Sequence, residues 1–489
     1  MHDTISIHSF NNTFLKIHSD NKGILDELSD RFSFDVDGAK YAQSFKDHKW
    51  DGKIKLFRRV SGTIYKGLLS HVVKFAIDNN YKYIIDPLLI DELKENTQFD
   101  AEAFIKSLNI QNIIPYEFQI KTIEEIIKKK RKLILSPVNS GKSYIIYCVL
   151  RWYLQNLDQK ILILLPSVDL ILQMMEDFKK FCPDFDIESH IHQIYQGQEK
   201  DSDKQVYIST WQSLNGQKRK YFLKFGAVVG DEVHELSASV AKHIIECCIN
   251  AKYKIGLTGT VKDVEMNLLT LEGLTGKLLK VTTTKKMIEQ KRSSNLTIKC
   301  VMLKHSEFTR KANKSLTYHE EQSFIMNDAN RNKIITSLAK NIKNENILIL
   351  TQYIDHTRIL QKLLENSGKK VFVITGETEK DLIIEKKMET ELSNDIVIIA
   401  TYGKFQRGIS IKNLQHLIFA TGSKSFIRVW QSIGRILRLD GRTDTCTLWD
   451  LIDDFSYGGE KNYLLKHFIE RIKIYKSEGF DFILKKINL

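Results

Sequence analysis

The chain has 489 residues and a formal net charge of +13, from 73 basic and 60 acidic side chains. At roughly 150 residues per domain this length predicts about three domains, and the positive charge favours a polyanionic partner, nucleic acid before a membrane surface. A lysine-rich composition without functional meaning is the alternative. The opening residues, MHDTISIHSF, lack the features of a signal peptide, and no stretch approaches the roughly 18 apolar residues of a membrane span. We therefore expect a cytoplasmic protein without a membrane partner.

The cysteine pattern indicates neither a disulfide framework nor a zinc ribbon. Six cysteines are scattered along the chain without a C-x-x-C pair or a regular spacing, which suits a reducing compartment. His243 with Cys247 and Cys248 is the nearest approach to a metal-ligand cluster, but Cys and His on one helix face are more often core residues. We expect no metal there.

Residues 1–98 are predicted to form a small α+β domain. Short β-branched and aromatic runs such as TISIHSF and KIKLF occur there with one helical stretch, GILDELSDRF. The segment YAQSFKDHKWDGKIKLFRR interleaves basic and aromatic residues, so Trp50 and Lys53 are candidate contacts to phosphates and bases. An exposed strand pair whose aromatic residues fill a small core explains the same pattern equally well.

Residues 99–280 show apolar runs that alternate with amphipathic helices, which is typical of a parallel sheet with crossover helices. Five runs read as buried strands that end in polar loops: LILSP, ILILLP, VYIST, AVVGDE and YKIGLTG. Open α/β sheets bind ligands outside the carboxyl ends of their strands. The polar residues of these loops are therefore the candidates for chemistry.

A second series of the same kind is expected over residues 281–458. It begins with the polar connection VTTTKKMIEQKRSSN and continues with the strand-like runs NILILTQ, VFVITGE, IVIIATYG, HLIFATG and TLWDLID. The chain is therefore predicted to contain two α/β domains of related architecture. A lysine-rich helical tail over residues 459–489 is expected to close it.

The stretch SPVNSGKS, from Ser136 to Ser143, lies between a strand-like run and an apolar helix. A phosphate-binding loop needs converging backbone N–H groups, a helix N-terminus, a lysine and a hydroxyl group. Lys142 would reach the β- and γ-phosphates, and Ser143 would ligate Mg²⁺. The common pattern has a glycine where Ser136 stands. Taken alone, the stretch fits both a nucleotide site and a turn that contains Gly-Lys-Ser by chance.

Two further groups would complete such a site. Asp231 and Glu232 follow the apolar run AVVG, where an aspartate would hold Mg²⁺ and a glutamate would orient or deprotonate the attacking water. In WQSIGRILRLDGR, helical spacing places Gln431, Arg435 and Arg438 on one face. Arginines there could stabilise charge on the γ-phosphate, although a solvated basic helix shows the same spacing.

In chain order, PVNSGKS, ILILLPS, ISTWQSL, GDEVHE, GLTGT, ILILTQY, IIATYGKFQRGISI and QSIGRILR resemble motifs I, Ia, Ib, II, III, IV, V and VI of the superfamily 2 helicases. Nearly the whole chain also resembles the DNA helicases of large tailed bacteriophages, through WDGKIKLF, the DEVH box, VTTTKK, GISIKNLQH, TLWDLIDD and NYLLKH. The resemblance implies two RecA-like domains with ATP and Mg²⁺ as cofactors. It also implies a DNA-contacting N-terminal domain.

The resemblance also implies roles for single residues. Gln119 would read adenine, Asn139, Ser140 and Gly141 would form the phosphate loop, and Gly408 would lie near the nucleotide. Asn139 stands where many members have glycine. The residues implied to couple ATP hydrolysis to movement along DNA are His234, Thr258, Thr260 and Gln431. Contacts to the DNA backbone are expected from Thr210, Thr401 and Arg407, and γ-phosphate sensing from Arg435 and Arg438.

We therefore predict an ATP-dependent motor, monomeric and in the host cytoplasm if the protein is viral. It would act on branched DNA such as Holliday junctions, stalled forks and D-loops, and on RNA–DNA hybrids in R-loops, in phage recombination, repair and replication. An RNA helicase, or a double-stranded-DNA translocase subunit of a restriction system, shares these motifs. An annealing protein whose ATPase only switches binding is a further alternative. A metabolic P-loop kinase would have no use for the second α/β domain.

Overall fold

The computed structural model describes residues 3–36, 38–95, 98–111, 113–195, 197–237, 239–260, 265–365, 367–405, 411, 413–423, 425–437 and 445–489. The chain divides into two compact units, Met1–Ser136 with Gly141–Val281 and Pro137–Ser140 with Thr282–Leu489. Among the helices of the described ranges, none has both the length and the apolar character that a membrane crossing requires.

The first unit begins with a small α+β layer. Its strands are β1 (Thr4–Ser9), β2 (Phe14–His18), β3 (Ser33–Asp35), β4 (Lys53–Lys55), β5 (Thr63–Tyr65) and β6 (Lys82–Ile85). Its helices are α1 (Lys22–Arg31), α2 (Gln43–Lys46), α3 (Leu69–Asp78) and α4 (Pro87–Glu92). Four strands form a sheet in the order β5-β2-β1-β6, and β3 pairs with β4. Ile7 lies opposite Ile17 in the β1–β2 pair, and both are buried because alternate residues of a strand share a face.

A seven-stranded sheet forms the rest of the first unit. Its strands are β7 (Arg131–Leu135), β8 (Lys160–Leu165), β9 (Ile191–Ile194), β10 (Val206–Thr210), β11 (Phe225–Gly230), β12 (Tyr253–Thr258) and β13 (Leu278–Lys280). They are parallel, in the order β13-β7-β12-β11-β8-β10-β9. The helices are α5 (Ala101–Ser107), α6 (Glu117–Lys129), α7 (Lys142–Asn156), α8 (Val168–Phe181), α9 (Ile187–His190), α10 (Ser239–Cys247) and α11 (Glu265–Thr275). The five strands expected between residues 99 and 280 are all present.

The two faces of this sheet bury separate cores. Ile161 and Ile163 pack with α6, α7 and α8, whereas Leu162 and Leu164 point to the opposite face. The buried apolar side chains of the N-terminal layer belong to that second core. At Gly67, an added Cβ would lie 2.0 Å from the carbonyl oxygen of Glu272, so only glycine permits this approach to α11. The N-terminal layer is therefore packed directly on the first seven-stranded sheet and its helices.

The second unit is built around another parallel seven-stranded sheet. Its strands are β14 (Asn295–Lys304), β15 (Ile347–Thr351), β16 (Lys370–Ile374), β17 (Ile396–Thr401), β18 (His416–Phe419), β19 (Thr445–Asp454) and β20 (Phe482–Asn488), in the order β16-β17-β15-β18-β19-β14-β20. Its helices are α12 (Thr284–Glu289), α13 (Glu307–Ala312), α14 (Tyr318–Asn327), α15 (Ala329–Asn341), α16 (Ile354–Leu364), α17 (Lys380–Leu392), α18 (Tyr402–Phe405), α19 (Phe426–Ile436) and α20 (Tyr463–Ser477). Both sheets have the parallel α/β architecture that the sequence predicts.

The C-terminal segment differs from the expected helical tail. Helix α20 forms, but residues 482–488 extend the sheet as strand β20, in parallel register with β14. The partners are far apart in sequence, as the pairing of Phe482 with Ile298 illustrates. Local periodicity carries no signal for such a pairing, which explains why the strand was not predicted.

Candidate active site

The loop after β7 brings a helix N-terminus to the carboxyl edge of the first sheet. Helix α7 begins at Lys142, and the N–H of Ser136 donates to the carbonyl oxygen of Thr258 at the end of β12, 2.9 Å away. Gly141 has φ +77°, and a Cβ there would lie 2.4 Å from Nε2 of Gln119. Only glycine fits this position without displacing Gln119.

Gln119, which is predicted to read adenine, lies close to Gly141 of the predicted phosphate loop. Its side chain is buried, and its Oε1 accepts from the backbone N–H of Tyr116 over 2.9 Å. Tyr116 is the N-cap of α6 and Gln119 is its third residue, which is the spacing of a capping box. The helicase motifs give no role to Tyr116 as the N-cap of α6, although the Y-x-x-Q spacing is a usable signal for it.

Lys142 and Glu232 form the central contact of the site. The ammonium of Lys142 lies 2.6 Å from Oε1 of Glu232, and both side chains are largely buried. Glu232 has φ +50°, a left-handed conformation that is uncommon for a glutamate, and its N–H donates to Oδ1 of Asp231 over 2.9 Å. The two carboxylates after β11 are thus held at the edge where the phosphate loop begins.

The pKa values of these carboxyl groups move in opposite directions. Burial, together with the charge of Glu232, raises the pKa of Asp231 above its ordinary value, although Lys142 opposes the shift. Burial alone would also raise the pKa of Glu232, but Lys142 and His234 outweigh it and hold that pKa well below its ordinary range. Lys142 therefore neutralises Glu232 more than Asp231.

A chain of polar contacts leads from Glu232 to the loop after β12. Nδ1 of His234 lies 3.2 Å from Oε2 of Glu232 and 2.8 Å from Oγ1 of Thr258. The hydroxyl of Thr258 donates to the carbonyl oxygen of Thr260 over 2.6 Å, so it accepts from His234, whose proton lies on Nδ1. Among the described residues, Nε2 of His234 and Oγ1 of Thr260 have no hydrogen-bond partner although both are buried.

Mg²⁺ suits the residues at this edge. The hydroxyl of Ser143 and the carboxylate of Asp231 are the hard oxygen donors that Mg²⁺ prefers, and one or two protein ligands suffice beside phosphate and water. Burial raises the pKa of the Asp231 carboxyl group, and a divalent cation bound beside it would oppose that shift. In the described part of the chain there is no cluster of three or more His, Cys, Asp or Glu side chains that could hold a metal by itself.

The phosphate-loop residues Val138 and Asn139 and helix α19 belong to the second compact unit and touch each other. Nδ2 of Asn139 donates to the carbonyl oxygen of Gly434 over 2.9 Å, and Asn139 has φ +67°, which asparagine tolerates better than most residues. An added Cβ at Gly434 would lie 2.6 Å from Cβ of Val138. This close packing explains why a glycine stands at position 434 in QSIGRILR. The hydrogen bond gives the side chain of Asn139 a partner in α19.

Several of the predicted site residues lie partly or wholly outside the described part of the structure. Gln431 and the backbone of Arg435 lie one turn apart on α19, but the side chain of Arg435 is outside the described part of the structure. Arg407, Gly408 and Arg438 also fall outside the described residues. Their roles stay predictions.

The expected DNA contacts lie on different elements of the chain. Thr210 and Thr401 end β10 and β17, and both side chains are buried; the hydroxyl of Thr210 lies 2.8 Å from that of Ser213. Trp50 and Lys53 line an open cleft of 730 Å³ whose other lining residues are Phe45, His48, Lys49, Asp51 and Lys55. These four contacts to DNA also stay predictions.

Three regions of the chain match known families. Residues 4–86 match "DNA helicase UvsW, N-terminal", residues 112–263 match "Type III restriction enzyme, res subunit", and residues 329–440 match "Helicase conserved C-terminal domain". The chain is 34% identical over 486 residues to the ATP-dependent DNA helicase uvsW of Enterobacteria phage T4, with 95% of each chain covered. It is 24% identical over 366 residues to the DNA 3'-5' translocase XPB2 of Sulfurisphaera tokodaii, covering 66% of this chain and 78% of the other.

Solved structures agree with these matches. The crystal structure of T4 UvsW aligns over 100% of both chains, with 31% sequence identity and a TM-score of 0.51. Dbp5 of S. cerevisiae bound to RNA and ADP BeF3 covers 81% of this chain and 95% of its own, with 15% identity and a TM-score of 0.56. At that identity, Dbp5 supports the fold alone.

Proposed function

Because the chain belongs to the UvsW family of ATP-dependent DNA helicases, we propose that it uses ATP hydrolysis to move the branch point of branched DNA. Its substrates would be Holliday junctions, stalled forks, D-loops and R-loops with an RNA–DNA hybrid, in phage recombination, repair and replication. We further propose that it acts as a monomer in the host cytoplasm. The observation that carries the proposal is the contact chain from Lys142 through Glu232 and His234 to Thr258.

The ion pair between Lys142 and Glu232 would break and form again during each cycle of ATP hydrolysis. In the structure the ammonium of Lys142 is bonded to Glu232, at 2.6 Å. When the β- and γ-phosphates of ATP bind at the N-terminus of α7, Lys142 would turn to the phosphate oxygens. Glu232 would then lose its main neutralising partner, its pKa would rise, and it would become a better base for the attacking water.

His234 would keep Glu232 oriented while Lys142 is engaged elsewhere. Its Nδ1–H faces both Oε2 of Glu232 and Oγ1 of Thr258, so a shift of the Glu232 carboxylate changes the hydrogen bond that reaches Thr258 and Thr260. Such a contiguous polar chain is a physical path from the hydrolytic residue to the loop after β12. We assign coupling to this path, with Gln431 as a further candidate.

The remaining groups complete the proposed chemistry. Ser143 and Asp231 would hold Mg²⁺, which neutralises charge on the phosphates when bound. Gln119 would contact adenine, and Arg435 and Arg438 would stabilise charge that develops on the γ-phosphate. Arg438 is our first choice as the arginine finger.

The cleft around Trp50 supports a DNA contact by the N-terminal layer. Nε1 of Trp50 donates to the carbonyl oxygen of Lys53 over 2.8 Å, which fixes the indole beside the lysine backbone. His48, Lys49, Lys53 and Lys55 are exposed around it. A held aromatic ring with exposed cations suits a DNA strand, because the ring can stack on a base while the cations contact phosphates.

ATP-dependent unwinding by the full chain should be measured side by side on a four-way junction, a forked duplex, an RNA–DNA loop and a linear RNA duplex. We expect separation of the branched DNA substrates and little separation of the RNA duplex. A preference for the linear RNA duplex over every branched DNA would instead favour an RNA helicase. Strand annealing without any ATP-dependent unwinding would favour the annealing alternative. A Glu232→Gln variant on each substrate corrects for strand exchange that needs no ATP.

A further inference from the structure

A second basic and aromatic groove lies in the first unit, on the opposite edge of the sheet from Lys142 and Glu232. It has a volume of 520 Å³ and lies between the N-terminal layer and the segments that precede β11 and β12; its lining includes Phe10, Phe14, Lys16, Arg58, Arg219 and Leu223. We call it the amino-edge groove. Its size is within the range of about 300 to 1,000 Å³ that is usual for ligand sites.

The position of the groove follows from the strand directions. Leu223 lies two residues before β11, and Ile249, another lining residue, lies four residues before β12. Parallel strands begin at one edge of their sheet and end at the other, so these residues mark the amino edge. Asp231 and Thr258 mark the carboxyl edge. The six residues of β11 separate the two edges by about 17 Å, at roughly 3.3 Å per residue. The groove is therefore distinct from the ATP site.

The floor of the groove is apolar and aromatic. Phe14 is buried there with the guanidinium of Arg58 4.6 Å from its ring centroid, whereas Phe10 is 61% exposed and Leu223 is 38% exposed. An exposed phenylalanine beside a cavity offers a face for stacking, because every nucleobase has a flat π surface. The side chain of Phe10 is thus available to a planar ligand.

The rim of the groove is cationic. Lys16, Arg58 and Arg219 contribute three positive charges, and none of the lining residues is acidic. Arg58 is partly neutralised by Glu246 at 3.4 Å, and the ammonium of Lys16 donates to the carbonyl oxygen of Ser61. The guanidinium of Arg219 has no ion pair or hydrogen bond to any described residue that would compete with an anion.

The positive charge continues beyond the groove. Lys218, Arg219 and Lys220 are consecutive and exposed. Three adjacent cations suit successive phosphates of a strand better than the single phosphate group of a free nucleotide, because each phosphate of a strand adds a counterion-releasing contact. The aromatic floor suits an unstacked base and would not be reached by the bases inside a duplex.

We propose that the amino-edge groove binds unpaired DNA, with one base stacked on Phe10 and the adjoining phosphates on Lys16 and Arg219. In a branched substrate this would hold a single-stranded arm on the edge of the first sheet away from the ATP site. The inference rests on the proposed function only in taking DNA as the substrate.

The test uses the full chain without nucleotide and a fluorescein-labelled 20-nucleotide polythymidine that also carries photoreactive bromodeoxyuridine. We expect a photocrosslink in the peptide that contains Phe10. Phe10→Ala and Arg219→Glu should each weaken binding about five-fold or more, as the loss of one stacked base or one phosphate contact predicts. Phe308→Ala and Lys106→Glu, which change exposed residues on α13 and α5, should bind as the wild type does.

Wild-type affinity in both groove variants, with no crosslink to the groove, would overturn the proposal. If thymidine monophosphate removes the crosslink as completely as the unlabelled strand does, the groove is a site for free nucleotides instead. Binding of a polyglutamate peptide without a DNA crosslink would assign it to an acidic protein partner. The binding assay contains no ATP, so its result does not depend on whether the chain unwinds DNA. The unwinding result likewise does not depend on whether the amino-edge groove binds DNA.

Discussion

Glu232 combines an unusual backbone conformation with three polar contacts. Its φ of +50° is of the kind that costs of order 1–3 kcal/mol and persists only when the surroundings hold it. Lys142 and His234 bind its two carboxylate oxygens, and the N–H of Gly259 lies 3.4 Å from Oε2. The carboxylate of Glu232 is therefore held by contacts with Lys142 at the start of α7, with His234 and with the loop after β12.

The role of Lys142 gives the first prediction. Lys142→Ala removes the charge that would bind the phosphates, so DNA-stimulated ATP hydrolysis should fall about 100-fold or more. Lys179→Ala removes an exposed lysine from α8 and should leave turnover unchanged. Steady-state ATP hydrolysis with saturating DNA measures the effect, and circular dichroism checks that the variant is folded. Wild-type turnover in Lys142→Ala would refute the site.

Thr258 gives a prediction about coupling. Thr258→Val keeps the shape of the side chain but removes the acceptor of His234, while the contact of His234 with Glu232 remains. We expect ATP hydrolysis near the wild-type rate and about 2- to 30-fold less unwinding per ATP, as for a coupling loss of about 0.5–2 kcal/mol. Thr336→Val, which removes a buried hydroxyl in α15, is the matched control. Equal loss of hydrolysis and unwinding would contradict a coupling role.

Much of the candidate site could be predicted from the sequence, because its residues follow strand-like runs that end at one sheet edge. Lys142, Glu232, His234 and Thr258 meet there as the motif order indicates. The contact of Asn139 with Gly434 could not be predicted. It depends on how a loop after one strand packs on a helix almost 300 positions later, and no local pattern encodes that.

At the scale of elements, a buried ion pair and a tyrosine hydrogen bond attach α20 to the second sheet. Arg471 donates to both carboxylate oxygens of Asp450 in β19, each over 2.8 Å, and the hydroxyl of Tyr475 donates to the same carboxylate. All three side chains are buried. The guanidinium also packs against Gly422, in the segment before α19. Helix α20 is therefore a structural support for the segment that leads into Gln431 and Arg435.

Removing this support should destabilise the second unit. Arg471→Ala leaves Asp450 buried without its cation, which costs about 3–5 kcal/mol. Lys473→Ala, which removes an exposed lysine from the same helix, should change the free energy of unfolding by less than about 0.5 kcal/mol. Urea denaturation of both variants measures the difference. A loss below about 1 kcal/mol in Arg471→Ala would show that the pair contributes little.

His356 in α16 predicts a pH dependence of stability. Burial, helped by the charge of Arg331, lowers the pKa of His356 to about 3, and its Nε2 lies 2.9 Å from Oδ1 of Asn332. The unfolded chain binds a proton here as the pH falls through 6.5, whereas the folded chain does not until about pH 3. The free energy of unfolding should therefore fall by up to about 1.4 kcal/mol per pH unit across this window.

A His356→Gln variant tests this contribution. Between pH 7 and pH 5 its stability should fall less than that of the wild type, by about 1–2 kcal/mol. His18→Gln, which makes the same change at the exposed end of β2, is the control for the substitution itself. Identical slopes for all three proteins in urea denaturation would exclude a buried neutral histidine at position 356.

The two sheets show how far the sequence predicts elements. Every strand-like run named from residues 99 to 458 forms a strand, because a continuous run of β-branched and leucine side chains suits a strand that is buried on both faces. Strand β20 was missed because three of the seven residues of FILKKIN are polar and most of the seven are exposed at the sheet edge. Its strand state depends on pairing with β14 rather than on its own composition.

At the scale of the whole molecule, the chain has surfaces that suit DNA besides the proposed ATP site. The net charge of +13 favours association with a polyanion, and in the first unit exposed cations with aromatic rings line both the cleft at Trp50 and the amino-edge groove. The N-terminal layer also meets the sheet through Lys254 of β12, whose buried Nζ donates to Oγ1 of Thr13. Strand β12 thus connects this layer with Thr258, which ends it.

The central claim is that ATP hydrolysis at Glu232 drives the movement of branched DNA. It is tested most directly by following ATP hydrolysis and the dissociation of a four-way junction in the same reaction, for the wild type and for Glu232→Gln. Both activities should be present in the wild type and lost together in the variant, because the amide cannot accept a proton from water. Junction dissociation that persists in Glu232→Gln without hydrolysis would contradict the account.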